Sequence, residues 1–175
     1  QDYQNNDAWV WEHLAMTRAR ALTGQGDLMA DFEAFRTDLL ANCGQSARVL
    51  PQVADMRARL AQAKSPDGAW DVKRGPGRLQ DIELFTQAGG LQAGAVETDI
   101  TSGINALASA ELITAEEGAT LSATYELLWA INVTTRFLSD RAFDESTASE
   151  GAVALLLKQT GSESLTELAS RLKTG

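Results

Sequence analysis

One stretch of the chain concentrates residues able to hold an anion. In Asp71-Val72-Lys73-Arg74-Gly75-Pro76-Gly77-Arg78-Leu79-Gln80-Asp81-Ile82-Glu83, three cations, Lys73, Arg74 and Arg78, surround Gly75 and Gly77 just ahead of a helix that begins with carboxylates. Cations suit phosphate, glycines let a backbone come close to a ligand, and a helix N-terminus favours negative charge. A phosphate-facing loop fits this spacing. So does a Gly-Pro turn entering an ordinary helix whose Asp81 and Glu83 complement its own dipole, and spacing alone favours the turn. The segment lacks the Gly-x-x-x-x-Gly-Lys-Ser/Thr order of a phosphate-binding P-loop. Arg18 and Arg20 are further candidates. Two apart on a predicted helix, they project about 160° apart, so at most one of them joins the loop.

Other chemistries find little support. His13 is the one histidine, with only the adjacent Glu12 near it in sequence, and it reads as a packed or capping residue; metal ligands are expected nowhere. Cys43 precedes Gly44 with Arg48 as its nearest basic neighbour, and it reads as structural. There is no Gly-x-Ser-x-Gly elbow for a nucleophilic hydrolase. One thiol allows no internal disulfide, so a reducing cytoplasm is the expected compartment.

The elements that must position the loop follow from composition and pattern. The 175 residues carry 44% hydrophobic and 22% charged side chains, 6% aromatics and 3 Pro, which favours a folded, helical domain over a sandwich. Fifteen Lys and Arg against 24 Asp and Glu leave a net charge of −9, the wrong sign for nucleic acid or an anionic membrane. No apolar run reaches the roughly 18 residues of a membrane span. Residues 57–78 carry six basic and two acidic groups, a basic island in an acidic chain that coincides with the richest run of turn residues.

An all-α bundle of about eight helices is predicted, as one domain over residues 1–175. The first helix covers residues 7–22, capped by Asp7. Asp27 caps a second with Leu28, Phe32, Phe35 and Leu39, stopped by Asn42 and Gly44. A third spans 46–64, then a Gly/Pro-rich loop runs to residue 79 with a short extended piece at 70–73. The next helix covers 80–88 and is weakened by Gly89, Gly90 and Gly94. Asp99 caps a helix, and Thr114 with Glu117 forms a capping box for the longest one. Thr147 with Glu150 and Ser164 with Glu167 repeat that signal for two final helices. The helix bearing Trp9 and Trp11 is expected to pack on those bearing Phe32 and Tyr125.

Several blocks together carry a resemblance. Tyr3-Gln4, Ala8-Trp9-Val10-Trp11-Glu12-His13, Ala15-Met16-Thr17-Arg18-Ala19-Arg20, Met56-Arg57, residues 71–77, Asp81-Ile82-Glu83 and Gln87 resemble the helical segment of bacterial glutamine synthetase adenylyltransferases. That family is a bifunctional cytoplasmic enzyme of two halves, each a nucleotidyltransferase palm followed by a helical domain. The Ala-Trp-x-Trp-Glu-His form is similar to the second half, which attaches AMP from ATP to a tyrosine of glutamine synthetase. The chain departs from the family at Arg78, where a second glycine is usual, and at Gly89-Gly90, where the helix is normally strongly apolar.

The resemblance implies a fragment of a longer enzyme, in keeping with the absence of Met at Gln1, whose palm and metal-binding aspartates precede it. Magnesium and ATP then belong to the full-length enzyme, and none is expected on this fragment, which has no catalytic residue of its own. Lys73, Arg74, Gly75, Gly77, Arg78, Asp81, Glu83, Arg18 and Arg20 are its candidates for active-site support. Glutamine synthetase, the signalling protein PII and the palm are the implied partners. A regulatory module docking glutamine synthetase or PII without touching nucleotide is the alternative, and an unrelated ligand-binding bundle is a third.

Overall fold

A computed structural model describes residues 2–139 and 143–174, and every described element is helical. The helices are α1 Asp2–Asn6, α2 Val10–Thr17, α3 Leu28–Gly44, α4 Val49–Ala63, α5 Leu79–Ala93, α6 Ile100–Ser109, α7 Ala115–Leu138, α8 Glu150–Thr160 and α9 Leu165–Thr174. Among the described residues there is no strand, and residues 70–73 form turns and bends instead of the extended piece expected there. No described helix is long and apolar enough to cross a membrane. The chain forms two compact units, one of residues 1–60 and 83–118, the other of residues 61–82 and 119–175.

In the first unit, Leu14, Leu40, Val49, Val53, Ala88 and Leu91 form a buried cluster, joined at its margin by Val10, Met16, Met56, Leu84 and Val96. Burying such side chains contributes roughly 1.5–3 kcal/mol each. Close backbone approach shapes this unit. A Cβ added to Gly44, at the end of α3, would run into the Leu91 carbonyl of α5. One on Gly89 would lie 2.9 Å from Leu107 Cδ2, and one on Gly103 would lie 2.6 Å from Thr86 Cγ2. Gly89 therefore marks a contact with α6 and Gly90 one with the Ala95 backbone, and α5 continues past them to Ala93.

Helix α2 is shorter than expected, and a remote side chain sets its end. Arg36 of α3 donates from Nε to the Met16 carbonyl at 2.9 Å and from Nη2 to the Thr17 carbonyl at 2.7 Å, while Nη1 reaches Glu33 at 3.2 Å. The carbonyls that leave a helix end unsatisfied are thus taken by a guanidinium only 8% exposed. Glu33 also accepts the Ala21 amide at 3.2 Å, which holds the chain beyond the helix. Residues 19 and 20 are consequently non-helical. At the other end Trp9, not Asp7, is the N-cap, its amide bonded to Glu12 at 2.8 Å.

The buried face of α2 is His13, Leu14 and Thr17. Trp9 and Trp11, expected inside, are 65% and 53% exposed: Trp9 is the N-cap, outside the helix proper, and Trp11 lies about 110° round the helix from that face. Tyr125 stacks on Trp129 of its own helix, with ring centroids 6.1 Å apart.

In the second unit Val72, Leu79, Ile82, Leu128, Ile131, Leu156, Leu168 and Leu172 are buried, and Trp70 meets Phe143 edge-on at 5.2 Å. The caps at Asp99 and at Thr114 with Glu117 form as the sequence indicates. For α8 the cap is Ser149, which accepts the Ala152 amide at 3.2 Å; Thr147 instead belongs to a turn organised by Asp144. Ser164 caps α9 through the Glu167 amide at 3.1 Å.

Two stability measurements test this picture. Gly44→Ala should cost about 1–3 kcal/mol, since backbone yields less readily than a side-chain tip. Arg36→Met should cost about 1–3 kcal/mol, by leaving the Thr17 carbonyl without its donor while Met16 O keeps the Ala19 amide. Denaturant titration of each variant reads both values directly.

Candidate functional site

The basic loop lies between α4 and α5, and its backbone is fixed by two carboxylates. Asp71, whose side chain is 8% exposed, accepts the Asp67 amide on Oδ2 at 2.9 Å and the Lys73 and Arg74 amides on Oδ1, both at 3.1 Å. Arg74 Nε adds a charge-assisted bond to Oδ2 at 2.7 Å. Asp81 Oδ2 accepts the Gly77 amide at 3.1 Å. Gly75 and Gly77 have φ of 116° and 69°, a region open to glycine at little cost.

The start of α5 is already committed to this loop. The Leu79 amide donates to the Val72 carbonyl at 3.1 Å and the Gln80 amide to the Lys73 carbonyl at 3.2 Å, while Arg78 N bonds Gly75 O at 3.2 Å. Val72 and Leu79, both buried, anchor the two ends of the turn between them. Of the amides at the start of α5, those of Leu79 and Gln80 are thus taken by loop carbonyls. Arg74 is engaged by Asp71. Lys73 is exposed and Arg78 half-buried, and the side chain of neither has an ion pair or hydrogen bond among the described residues.

The Arg78 backbone has an ordinary negative φ, since Glu111 is the one non-glycine described with positive φ. The stem of Arg78 lies along Gly75, with Cγ 3.5 Å from the place a Cβ there would occupy. An arginine at this position is therefore unstrained.

The remaining candidates are placed differently. Glu83 pairs with Arg18 at 3.7 Å within the first unit. Arg20 is exposed on the non-helical segment after α2, so the helical argument for separating it from Arg18 does not apply. Arg18 is the C-cap of α2.

A pair that sequence spacing concealed lies in the first unit. His13 Nε2 is 2.9 Å from the Gln4 carbonyl and Nδ1 is 3.0 Å from Cys43 Sγ. A carbonyl only accepts, so Nε2 carries the proton and Nδ1 receives the thiol hydrogen. Burial raises the Cys43 pKa, which keeps it a thiol. Among the described residues, no group of three or more His, Cys, Asp and Glu could hold a metal ion.

Burial works to raise the Asp71 carboxyl, but the amides of Asp67, Arg74 and Lys73 and the Arg74 guanidinium outweigh it and set its pKa below the ordinary value. Its contribution to stability is fully present above the unfolded value of about 3.9 and is lost as pH falls through the lower folded value. In an NMR titration the Lys73 and Arg74 amide resonances should move together, with a midpoint below about 3.9.

Comparison with known proteins adds the family. Residues 50–173 match the family model described as GlnD PII-uridylyltransferase, and residues 1–35 match glutamate-ammonia ligase adenylyltransferase. Bifunctional glutamine synthetase adenylyltransferase/adenylyl-removing enzymes are similar along almost the whole chain: 32% identity over 98% of it in Mesorhizobium japonicum and 30% over 98% in Rhizobium meliloti. The enzyme of that name from Brucella suis is 40% identical over 49% of the chain. The chain spans 18% of the length of the first two relatives. With one family model covering residues 50–173 and these relatives aligned across both matched regions, the chain belongs to the GlnD PII-uridylyltransferase family, within which its relatives are glutamine synthetase adenylyltransferase/adenylyl-removing enzymes.

Proposed function

We propose that the chain is the helical domain following the second palm of a cytoplasmic enzyme that attaches AMP from ATP to a tyrosine of glutamine synthetase, while the other half of that enzyme removes it under the influence of PII. The names of the aligned relatives support the reaction. The observation that carries a role for this chain is the state of its loop: Asp71 and Asp81 hold the backbone, and the side chains of Lys73 and Arg78 are left without partners among the described residues.

ATP fits these residues as a polyanion. Lys73 and Arg78 would hold its phosphate oxygens, and bound ATP supplies the adenylyl group to be transferred. Each cation acts by placing charge beside the transferring phosphorus, where it counts for more than in water. Arg74, Gly75, Gly77 and Asp81 shape the loop; Arg18 and Glu83, paired with each other, and Arg20 are further candidates for active-site support. Magnesium does not fit here, since the Asp71 and Asp81 oxygens described above are taken by amides and Arg74. Its carboxylates are assigned to the palm.

The docking alternative has one observation in its favour: Tyr3, Trp9 and Trp11 are 51%, 65% and 53% exposed, and aromatic side chains are common anchors of protein interfaces. Lys73→Ala in the complete enzyme separates the readings. Transfer of AMP should slow by roughly 10²-fold, as for loss of one charge stabiliser, with stability changed by about 1 kcal/mol or less. An unchanged transfer rate and unchanged affinity for glutamine synthetase would remove the loop from the active site and leave docking in front.

A further inference from the structure

Asp71 presents an apparent contradiction: it brings a nearly buried negative charge into a loop that is read above as meeting a polyanion. Three features of the geometry resolve it. The guanidinium of Arg74, 2.7 Å away, neutralises that charge locally, so the carboxylate does not repel an approaching anion. Its two oxygens collect donors from residues 67, 73 and 74, spanning the whole first half of the loop. The amide of Lys73 is one of those donors, and the carbonyl of Lys73 accepts the Gln80 amide at the start of α5, so the backbone of this cation is held on both sides.

We propose that Asp71 is the positioning residue of the loop: it fixes the backbone from which Lys73 projects, so that this charge is preset for a phosphoryl oxyanion. This rests on the reading that the loop faces nucleotide. Without such a brace a segment containing Gly68, Gly75, Pro76 and Gly77 has many accessible backbone states, and each ligand encounter must order it. With it, the ordering is complete before the ligand arrives. Arg74 is thereby the neutraliser of Asp71, and the pair Lys73 and Arg78 carries the attraction. Asp81 plays the smaller part, holding Gly77 at the far side of the turn.

The test uses the complete enzyme with Asp71→Asn, Asp71→Glu, Lys73→Ala and the double variant Asp71→Asn with Lys73→Ala. The readouts are kcat and KM for ATP and hydrogen exchange of the loop amides, well below the melting temperature of each variant. Asp71→Asn should speed exchange at Lys73 and Arg74 by about tenfold or more and lower kcat by about tenfold or more, the range found when supporting groups around a site are lost. Asp71→Glu, which keeps the charge but displaces it by one methylene, should change both in the same direction; it decides the matter if the Asn variant does not fold. The double variant should be no more than about twofold slower than Lys73→Ala alone, because groups acting as one unit are not additive. Lys73→Ala should leave the exchange of residues 73 and 74 unchanged.

Unaltered exchange in both Asp71 variants overturns the positioning role. So does faster exchange with undiminished kcat while Lys73→Ala is slow, and so do losses that multiply in the double variant. Full activity in Lys73→Ala overturns the nucleotide-facing reading itself, and the positioning role with it.

Discussion

The approach of α3 to α5 at Gly44 constrains the first unit more than any single side chain does. Backbone meets backbone there, with no room for even a methyl group at Gly44. Interiors are packed to crystal-like density, so a contact of this kind leaves the two helices little room to shift at this point. Leu91, whose carbonyl makes the contact, is itself part of the buried cluster with Leu14 and Leu40. Gly89 two residues earlier and Gly103 on α6 repeat the device against Leu107 and Thr86. Helix α5 is thus seated by glycines that would weaken an isolated helix, and tertiary packing offsets the cost.

The loop ahead of α5 works by a different principle, the internal use of its own polar groups. Its amides, carbonyls and two carboxylates satisfy one another, while its apolar residues Val72 and Leu79 go inside. Such satisfaction leaves little backbone capacity for a ligand, and any recognition falls to side chains. On the proposed reading, the chemistry shifts from amide cradling, as in phosphate-binding loops, to point charges on Lys73 and Arg78. A lysine ammonium and an arginine fork differ in geometry, one compact and rotatable, the other planar and able to bind two oxygens at once.

What the sequence revealed was local. Asp99, the Thr114 and Glu117 box and Ser164 act within three or four residues, and all three were legible as helix starts. Where neighbouring residues compete, the local signal misleads: Thr147 matched the pattern, yet Asp144 drew it into a turn and Ser149 took the cap. Signals that cross the chain were invisible. Arg36 ends α2 from about twenty residues away, and Cys43 meets His13 from thirty, and no spacing rule announces either. The Gly89 and Gly90 pair was read as a weakness because propensity records what a glycine costs its own helix and nothing of what it admits from another. For the basic loop, residue types and order were legible, whereas the fate of each amide, which decides what remains for a ligand, was not.

The ordinary backbone of Arg78 has a consequence for how this loop can change over generations. Gly75 and Gly77 are locked by their left-handed φ, so substitutions there incur a folding penalty and selection meets them first as defects of stability. Position 78 carries no such lock. Exchange between glycine and arginine at that site alters the electrostatic field of the loop while the chain path stays as it is. Lineages can therefore add or remove a full positive charge in a single step, without a compensating mutation elsewhere, and position 78 becomes an adjustable point on a loop whose frame is fixed.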